Sequence, residues 1–178
     1  MGSRYTGSPA MPAANPGESI MLTALKYVVL VLFALLLLLL VGQLGWLKGK
    51  MPAELGVRDG RLKPPASTPN SVSSQASLYP KHPQRNYADI APLRYSGDGR
   101  TALQALAAAL AATTGCVLVR QEPTYLYAQC TTRWLKFTDD AEFYLDEAAG
   151  VIQVRSASRL GSKDLGVNRA RIEALRQR

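Results

Sequence analysis

An uninterrupted apolar block near the N-terminus is the feature that most constrains this chain. Residues 27–41 read YVVLVLFALLLLLLV, and the apolar run continues past Gly42 and Gln43 to Leu47. About 20 apolar residues cross the hydrocarbon core of a bilayer as one helix, whereas the apolar part of a cleaved signal peptide is shorter. We therefore predict an uncleaved transmembrane helix over residues 24–47 that tethers everything C-terminal to it.

The residues around the span leave its orientation open. Residues 1–23 are rich in Gly, Pro, Ser and Ala, so we predict a disordered tail, and either Met1 or Met21 can be the start. More basic residues follow the span than precede it, which by the positive-inside rule places the C-terminal domain in the cytoplasm. A chain that starts at Met21 has instead a short basic lead into an apolar segment, which is typical of an exported signal anchor.

The chain beyond the span is basic. The whole sequence carries a formal charge of +8, and 19 basic and 12 acidic residues follow the span, a net +7. A basic domain beside a membrane is attracted to anionic headgroups. The chain has no recognisable DNA- or RNA-binding motif. We therefore expect the lipid bilayer, an anionic lipid or a membrane protein as partner, and no nucleic acid.

The composition after the span changes at about residue 88. Residues 48–87 are rich in Pro and Ser, and we predict a linker or a wrap over the domain surface. Residues 88–178 are predicted to form one α+β domain, a four-stranded antiparallel sheet with two flanking helices. The four predicted strands are Cys116–Gln121, Tyr125–Trp134, Phe137–Leu145 and Val151–Leu160.

Sequence signals also predict how the two helices begin and end. Thr101 and Gln104 have the spacing of a capping box, and Gly115 suits the C-terminal end of the same helix. Asn168 is a good N-cap for the second helix. The predicted apolar faces are formed by Leu103, Leu106 and Leu110 in the first helix and by Ile172 and Leu175 in the second.

Apolar periodicity selects a register for the last two strands. If residues 147–150 form the loop, with Gly150 in the left-handed conformation, Phe143 lies opposite Val154 on an apolar face. The same register places Glu142 opposite Arg155 on the other face. A slip of one residue would place Phe143 against Arg155, so the pattern excludes it.

The two cysteines allow two predictions. Cys116 and Cys130 are directly opposite each other if the intervening hairpin has a three-residue loop, whereas Val117 faces Cys130 if the loop has two residues. A disulfide and two buried free thiols both remain open. Two cysteines and the single His82 are too few for a zinc site, so we expect no metal and no cofactor.

The candidate site is a set of charged and hydrogen-bonding residues on the last two strands and the segment after them. Its members are Asp139, Asp140 and Glu142 on the acidic side, with Arg155, Ser156, Ser158, Arg159, Asp164, Asn168 and Arg169 as candidate ligand- or partner-binding residues. One interpretation is a solvated sheet face with cross-strand ion pairs. The other is a groove in which arginines and a helix N-terminus bind a carboxylate or phosphate.

Three segments carry a resemblance to a known family. Residues 55–75 (LGVRDGRLKPPASTPNSVSSQ), 138–147 (TDDAEFYLDE) and 150–175 (GVIQVRSASRLGSKDLGVNRARIEAL) resemble the bacterial and plastid family called domain of unknown function 1499. The resemblance begins near residue 55. Members usually carry an N-terminal signal, lipoprotein or anchor segment. The resemblance therefore implies export, with the domain on the periplasmic side of a bacterial inner membrane.

One departure from the family pattern bears on chemistry. Relatives often show P-C-P-x-S-P-N-C-V, whereas Pro65 and Ser71 occupy the two cysteine positions here. The resemblance thus implies a lost disulfide and argues against a redox or metal role for that loop. We expect a single-pass, membrane-anchored binding or assembly module. The alternative is a small hydrolase or transferase that uses the acidic and arginine-bearing sheet face.

Overall fold

Helix α1 (Pro16–Gln43) contains the whole uninterrupted apolar block. The computed structural model describes residues 16–178, so the first 15 residues of the predicted tail lie outside the described part of the chain. The segment Ser19–Gln43 is long and apolar enough to cross a membrane, and an 18-residue window within it has a mean hydropathy of 2.9 and no buried residue. A core helix of a soluble domain would be covered, because exposing so many leucines to water is unfavourable.

The second compact unit, Leu40–Arg178, is an α+β domain built on one antiparallel sheet. In chain order the elements are β1 (Ser71–Ser73), α2 (Arg85–Ala88), β2 (Leu93–Arg94), α3 (Gly99–Ala111), β3 (Cys116–Glu122), β4 (Tyr125–Thr131), β5 (Thr138–Asp146), β6 (Val151–Ser158) and α4 (Val167–Arg176). The sheet order is β1-β6-β5-β4-β3, and β2 pairs with another part of β6.

The sheet has six strands, so the prediction of four was wrong. The four predicted strands correspond to β3–β6, and the missed ones are β1 and β2, which have three and two residues. Strands this short contain no alternation for a sequence pattern to detect. Their position depends on pairing with β6, as when Val72 lies opposite Ser156 and Leu93 lies opposite Ile152.

The register predicted for the last hairpin is confirmed. Phe143 lies opposite Val154, and Glu142 lies opposite Arg155. Gly150 has a φ of 64° in the connecting turn. This register directs Phe143 and Val154 into the core beneath the helices and turns Glu142 and Arg155 to the other face of the sheet.

The β3–β4 hairpin combines features of both predicted alternatives. Its loop has only two residues, since Glu122 pairs with Tyr125, yet Cys116 lies directly opposite Cys130. A bulge at Val119 supplies the extra residue that reconciles the two observations. Cys116 and Cys130 are joined by a disulfide, with a Cα–Cα distance of 4.0 Å.

The main hydrophobic core lies between the sheet and helices α3 and α4. It includes the predicted helix residues Leu103, Leu106, Leu110, Ile172 and Leu175, together with side chains of β4, β5 and β6.

The predicted beginning of α3 is wrong by one turn. Asp98 is the N-cap and accepts hydrogen bonds from the backbone N–H and the hydroxyl of Thr101. Gly115 lies beyond the helix, where a Cβ would meet the backbone oxygen of Thr131 at 2.6 Å.

The opposite face of the sheet is covered by residues 55–64, which we call the covering segment. Leu62 packs against Tyr125 and Tyr127, and all three are buried. The backbone N–H of Gly56 donates to Glu142 at 2.8 Å, and the carbonyl oxygen of Pro64 accepts from Arg155 at 3.1 Å. Polar contacts thus fasten this part of the Pro- and Ser-rich region to the sheet.

Candidate functional site

Asn168 is the centre of a polar network buried between the sheet and α4. Its Oδ1 accepts from the hydroxyl of Ser156 at 2.6 Å and from the guanidinium of Arg171 at 2.8 Å. Its Nδ2 donates to Ser158 Oγ at 3.0 Å and to Asp164 Oδ2 at 2.9 Å. Every polar atom of the Asn168 side chain has a partner, so the network joins β6 to the first turn of α4.

Asp164, rather than Asn168, caps the start of α4. The residue at the N-cap position is Gly166, and the carboxylate of Asp164 accepts from the backbone N–H groups of Gly166 and Asn168, each at 3.1 Å. Burial alone would raise the pKa of Asp164, but hydrogen bonds from Tyr87, Asn168 and Gly166 outweigh it and lower the pKa. The ionised carboxylate matches the positive end of the helix dipole.

Two more predicted site residues lie at this end of α4 but have different roles. Asp139 forms an ion pair with Arg171 at 2.6 Å and joins the Asn168 network through it. Arg169 lies outside the network. Its guanidinium donates to the carbonyl oxygens of Tyr87 at 2.6 Å and Asp89 at 2.9 Å, and it thereby holds the end of α2.

The remaining predicted residues form two ion pairs under the covering segment. Arg155 and Glu142 are 3.3 Å apart, with side chains 4% and 0% exposed. Arg159 binds both carboxylate oxygens of Asp140, through Nη2 to Oδ1 at 2.7 Å and through Nε to Oδ2 at 2.9 Å. Such bidentate pairs are the strongest hydrogen-bonded ion pairs that side chains make.

Two tyrosines complete these pairs. The hydroxyl of Tyr125 donates to Glu142 at 2.8 Å, and that of Tyr127 donates to Asp140 at 2.6 Å. Burial, together with the adjacent carboxylates, raises the pKa of both phenols, so they remain protonated donors. Burial lowers the pKa of Arg155, whereas the hydrogen bond to Asp140 raises that of Arg159. The carboxylates are therefore neutralised by partners within the chain.

The sheet itself divides the predicted site into two groups. Side chains of successive strand residues point to opposite faces, so Asp139 and Ser156 lie on the helix side while Asp140 and Arg155 lie under the covering segment. The structure places none of the predicted arginines in an open groove, because carboxylates and carbonyl oxygens of this chain occupy their donors.

Sequence reasoning did not assign roles to several residues of these networks. Tyr125 and Tyr127 alternate along β4, and this period of two was the available signal that both face the acidic residues of β5. For Tyr87, no local pattern indicated its bond to Asp164, since 77 residues separate the two.

We expect Asn168→Ala to lower the free energy of unfolding by about 1–3 kcal/mol, because Ser156, Ser158 and Asp164 would lose a buried hydrogen-bond partner. The measurement is the urea midpoint of the full-length protein in detergent micelles. Glu173→Ala on the same helix is the control, since Glu173 is half-exposed and its one ion pair within residues 16–178 is with Arg176, so its loss should cost about 0–1 kcal/mol. Equal midpoints for the two variants would contradict this role of Asn168.

An exposed apolar surface lies at the end of the sheet that carries the disulfide. We call it the apolar rim and define it by Trp134, Phe137, Leu160, Leu165 and Val167, all of which are exposed. Leu165 is 92% exposed and Trp134 is 61% exposed. A cleft of about 250 Å³ opens here; Phe137, Leu160, Leu165 and Val167 line it, and so do Asp139, Ser158 and Asp164 from the predicted site.

The rim is the best-supported candidate for an external contact. Within residues 16–178, no three His, Cys, Asp or Glu side chains lie together as metal ligands would. The side chains of Asn168 and of the buried ion pairs already have partners within the chain, whereas the rim leaves large apolar side chains exposed to solvent. Exposed apolar clusters rimmed by polar residues mark contact sites for proteins, ligands or membranes.

Ser71, at one of the two positions where relatives often have cysteine, has a structural role of its own. Its buried hydroxyl accepts from the backbone N–H of Ala66 at 2.8 Å. This hydrogen bond closes the loop just after Pro65. It therefore joins Ser71 to the residue that follows Pro65, so the two positions at which relatives often have cysteine are held close together.

Comparison with known proteins gives one family match. The family model described as Protein of unknown function (DUF1499) matches residues 61–178, more than half of the chain. No curated protein and no solved structure gives a significant match. The matched region includes β1–β6, the Asn168 network and the apolar rim. The chain therefore belongs to the DUF1499 family of proteins of unknown function.

Proposed function

We propose that this protein is a single-pass, membrane-anchored binding module whose α+β domain contacts a membrane component through the apolar rim. The observation that carries the proposal is the exposure of Leu165 and Trp134 on a domain whose chain continues directly from a membrane-competent helix. The partner classes are a membrane protein and an anionic lipid. The net charge of +7 after the span supports an anionic partner surface.

The disulfide supports the periplasmic side of a bacterial inner membrane as the location of the domain. Disulfides persist in oxidising compartments, whereas the cytoplasm keeps thiols reduced. The bond between Cys116 and Cys130 joins β3 to β4 at the sheet end that carries the rim. The family resemblance supports the same side, against the cytoplasmic orientation that the count of basic residues favours.

A binding role fits the buried networks better than catalysis does. The alternative, a hydrolase or transferase, would use Asp139, Asp140 or Glu142. Each of these carboxylates is buried and paired with an arginine of the same chain. Networks that are satisfied in this way rigidify a domain. They hold the loops that carry the rim in one conformation.

Photocrosslinking from native membranes tests the proposal. A photoreactive amino acid at position 165 of the full-length protein should give adducts with a membrane protein or a lipid, identified by mass spectrometry. Ala148 is the matched control, because it is also exposed but lies in the β5–β6 turn at the opposite end of the sheet. The proposal fails if position 165 gives no adduct beyond those obtained at position 148.

A further inference from the structure

The loop before α4 holds Leu165 out in solvent. Leu165 has a φ of 52°, in the left-handed region that a leucine rarely adopts, and Gly166 follows with a φ of 82°. Asp164 fixes this conformation through its bonds to Gly166 N, Asn168 N and the hydroxyl of Tyr87. In a flexible loop the leucine side chain could fold back onto the protein. A leucine that the loop holds in solvent instead indicates a contact outside the chain.

Basic residues lie next to members of the rim in sequence and just after the apolar helix. Arg133, Lys136 and Lys163 are the neighbours of the rim, and Lys48 and Lys50 follow the helix. Within residues 16–178, none of these five forms an ion pair with a carboxylate. The guanidinium of Arg133 lies over the ring of Trp134, 4.8 Å from its centre. Tryptophan beside unpaired Lys and Arg is typical of residues at a membrane–water interface.

The chain that leaves the apolar run passes this same end of the sheet. Gln43 and Gly49 belong to the compact unit that contains the domain. The side-chain amide of Gln43 donates to the carbonyl oxygen of Trp134 at 3.0 Å. A methyl group added to Gly49 would lie 3.0 Å from Cγ of Leu160. The point at which the chain would emerge from a bilayer is therefore adjacent to the rim.

We infer that the apolar rim enters the interface of the bilayer that its own anchor spans. Leu165 and Trp134 reach the boundary between headgroups and acyl chains, and Arg133, Lys136 and Lys163 contact the phosphates of anionic lipids. This inference rests on the proposed function and narrows its partner to lipid. An interfacial contact of this kind combines buried apolar area with attraction to anionic headgroups.

The two tryptophans of the chain make a direct test possible. Trp46→Phe leaves Trp134 as the only reporter, and Trp134→Phe leaves Trp46, which adjoins the apolar run. Each full-length variant is reconstituted into vesicles of phosphatidylcholine, with or without phosphatidylglycerol. In both kinds of vesicle the acyl chains of the lipids carry bromine. We expect bromine to quench Trp134, and the quenching to increase when phosphatidylglycerol is present.

Leu165→Asp in the Trp46→Phe background should remove most of the quenching of Trp134. Position 165 is exposed and has a left-handed backbone, and aspartate is compatible with both, so we expect the variant to remain folded. An unchanged urea midpoint verifies this. The inference is overturned if bromine quenches Trp46 but leaves Trp134 unaffected. If position 165 then crosslinks to a membrane protein, the proposed function stands without lipid contact. If position 165 crosslinks to nothing, the inferred lipid contact and the proposed function both fail.

Discussion

Glu142→Ala is expected to lower the free energy of unfolding by about 3–5 kcal/mol, because it leaves the guanidinium of Arg155 buried without its counter-ion. The two side chains are 4% and 0% exposed, so bulk solvent does not screen the charge that remains on Arg155. Tyr125 and the backbone N–H of Gly56 lose their acceptor in the same step. The measurement is urea unfolding of the full-length protein in detergent micelles.

The matched control is Glu147→Ala. Glu147 pairs with Arg100 at 3.4 Å, close to the 3.3 Å of the buried pair, but the two side chains are 57% and 62% exposed. Surface pairs of this kind contribute about 0–1 kcal/mol. Losses of equal size for the two variants would show that burial does not determine the strength of the Arg155 pair.

Glu142→Ala should also loosen the covering segment before the whole domain unfolds. Hydrogen exchange at Gly56 and Leu62 reports this directly, because the amide of Gly56 donates to Glu142 and that of Leu62 donates to Gln75 on the same side of the sheet. We expect faster exchange at both amides, with a larger change at Gly56. Unchanged exchange at Gly56 would show that the ion pair does not hold the segment.

The register of the last hairpin was predictable because one hydrophobic pattern determines every pair in it. Phe143 must face the core, and a period of two then places Glu142 opposite Arg155. For the β3–β4 hairpin the sequence left two registers open, and each describes one part of it, because the bulge at Val119 changes the pairing partway along the strands. Nothing in the local sequence indicates which residue of that strand becomes the bulge.

Helix starts were predicted less well than helix faces, since several good capping residues compete. Asp98 and Thr101 both favour an N-cap, and Asp98 occupies it while Thr101 donates to it. At α4 the outcome depends on tertiary contacts. The side chain of Asn168 is buried and forms hydrogen bonds with Ser156 and Ser158 of β6, so the carboxylate of Asp164 caps the helix instead.

The candidate site was predictable within each sheet face but not between elements. Strand alternation places Asp140 with Arg159 and separates both from Asp139. The partner of Asp139, Arg171, lies 32 residues further along the chain and reaches it only because α4 packs over β6. Similarly, no local pattern indicated that Pro64 would cover Arg155, 91 residues away. The apolar rim was missed because its members come from two separate loops and from the first residue of α4.

Replacing both cysteines with serine (Cys116→Ser with Cys130→Ser) is expected to lower the free energy of unfolding by about 3 kcal/mol. The bond closes a loop between residues 14 apart in sequence, and its loss restores conformational entropy to the unfolded chain. The measurement is the urea midpoint of the full-length protein without reductant. The control repeats both unfolding curves with reductant, where the difference should nearly vanish; a difference of equal size there would mean that the hydroxyls, not the lost bond, destabilise the variant.

The same two cysteines report the side of the membrane on which the domain folds. Cys116 is partly exposed, whereas Cys130 is buried, so thiol trapping must follow denaturation. If the domain is periplasmic, protein taken directly from cells should have neither thiol available to an alkylating reagent until a reductant is added. Two free thiols in freshly trapped protein would instead favour the cytoplasmic orientation, because an oxidising compartment would have joined cysteines that the fold places directly opposite each other.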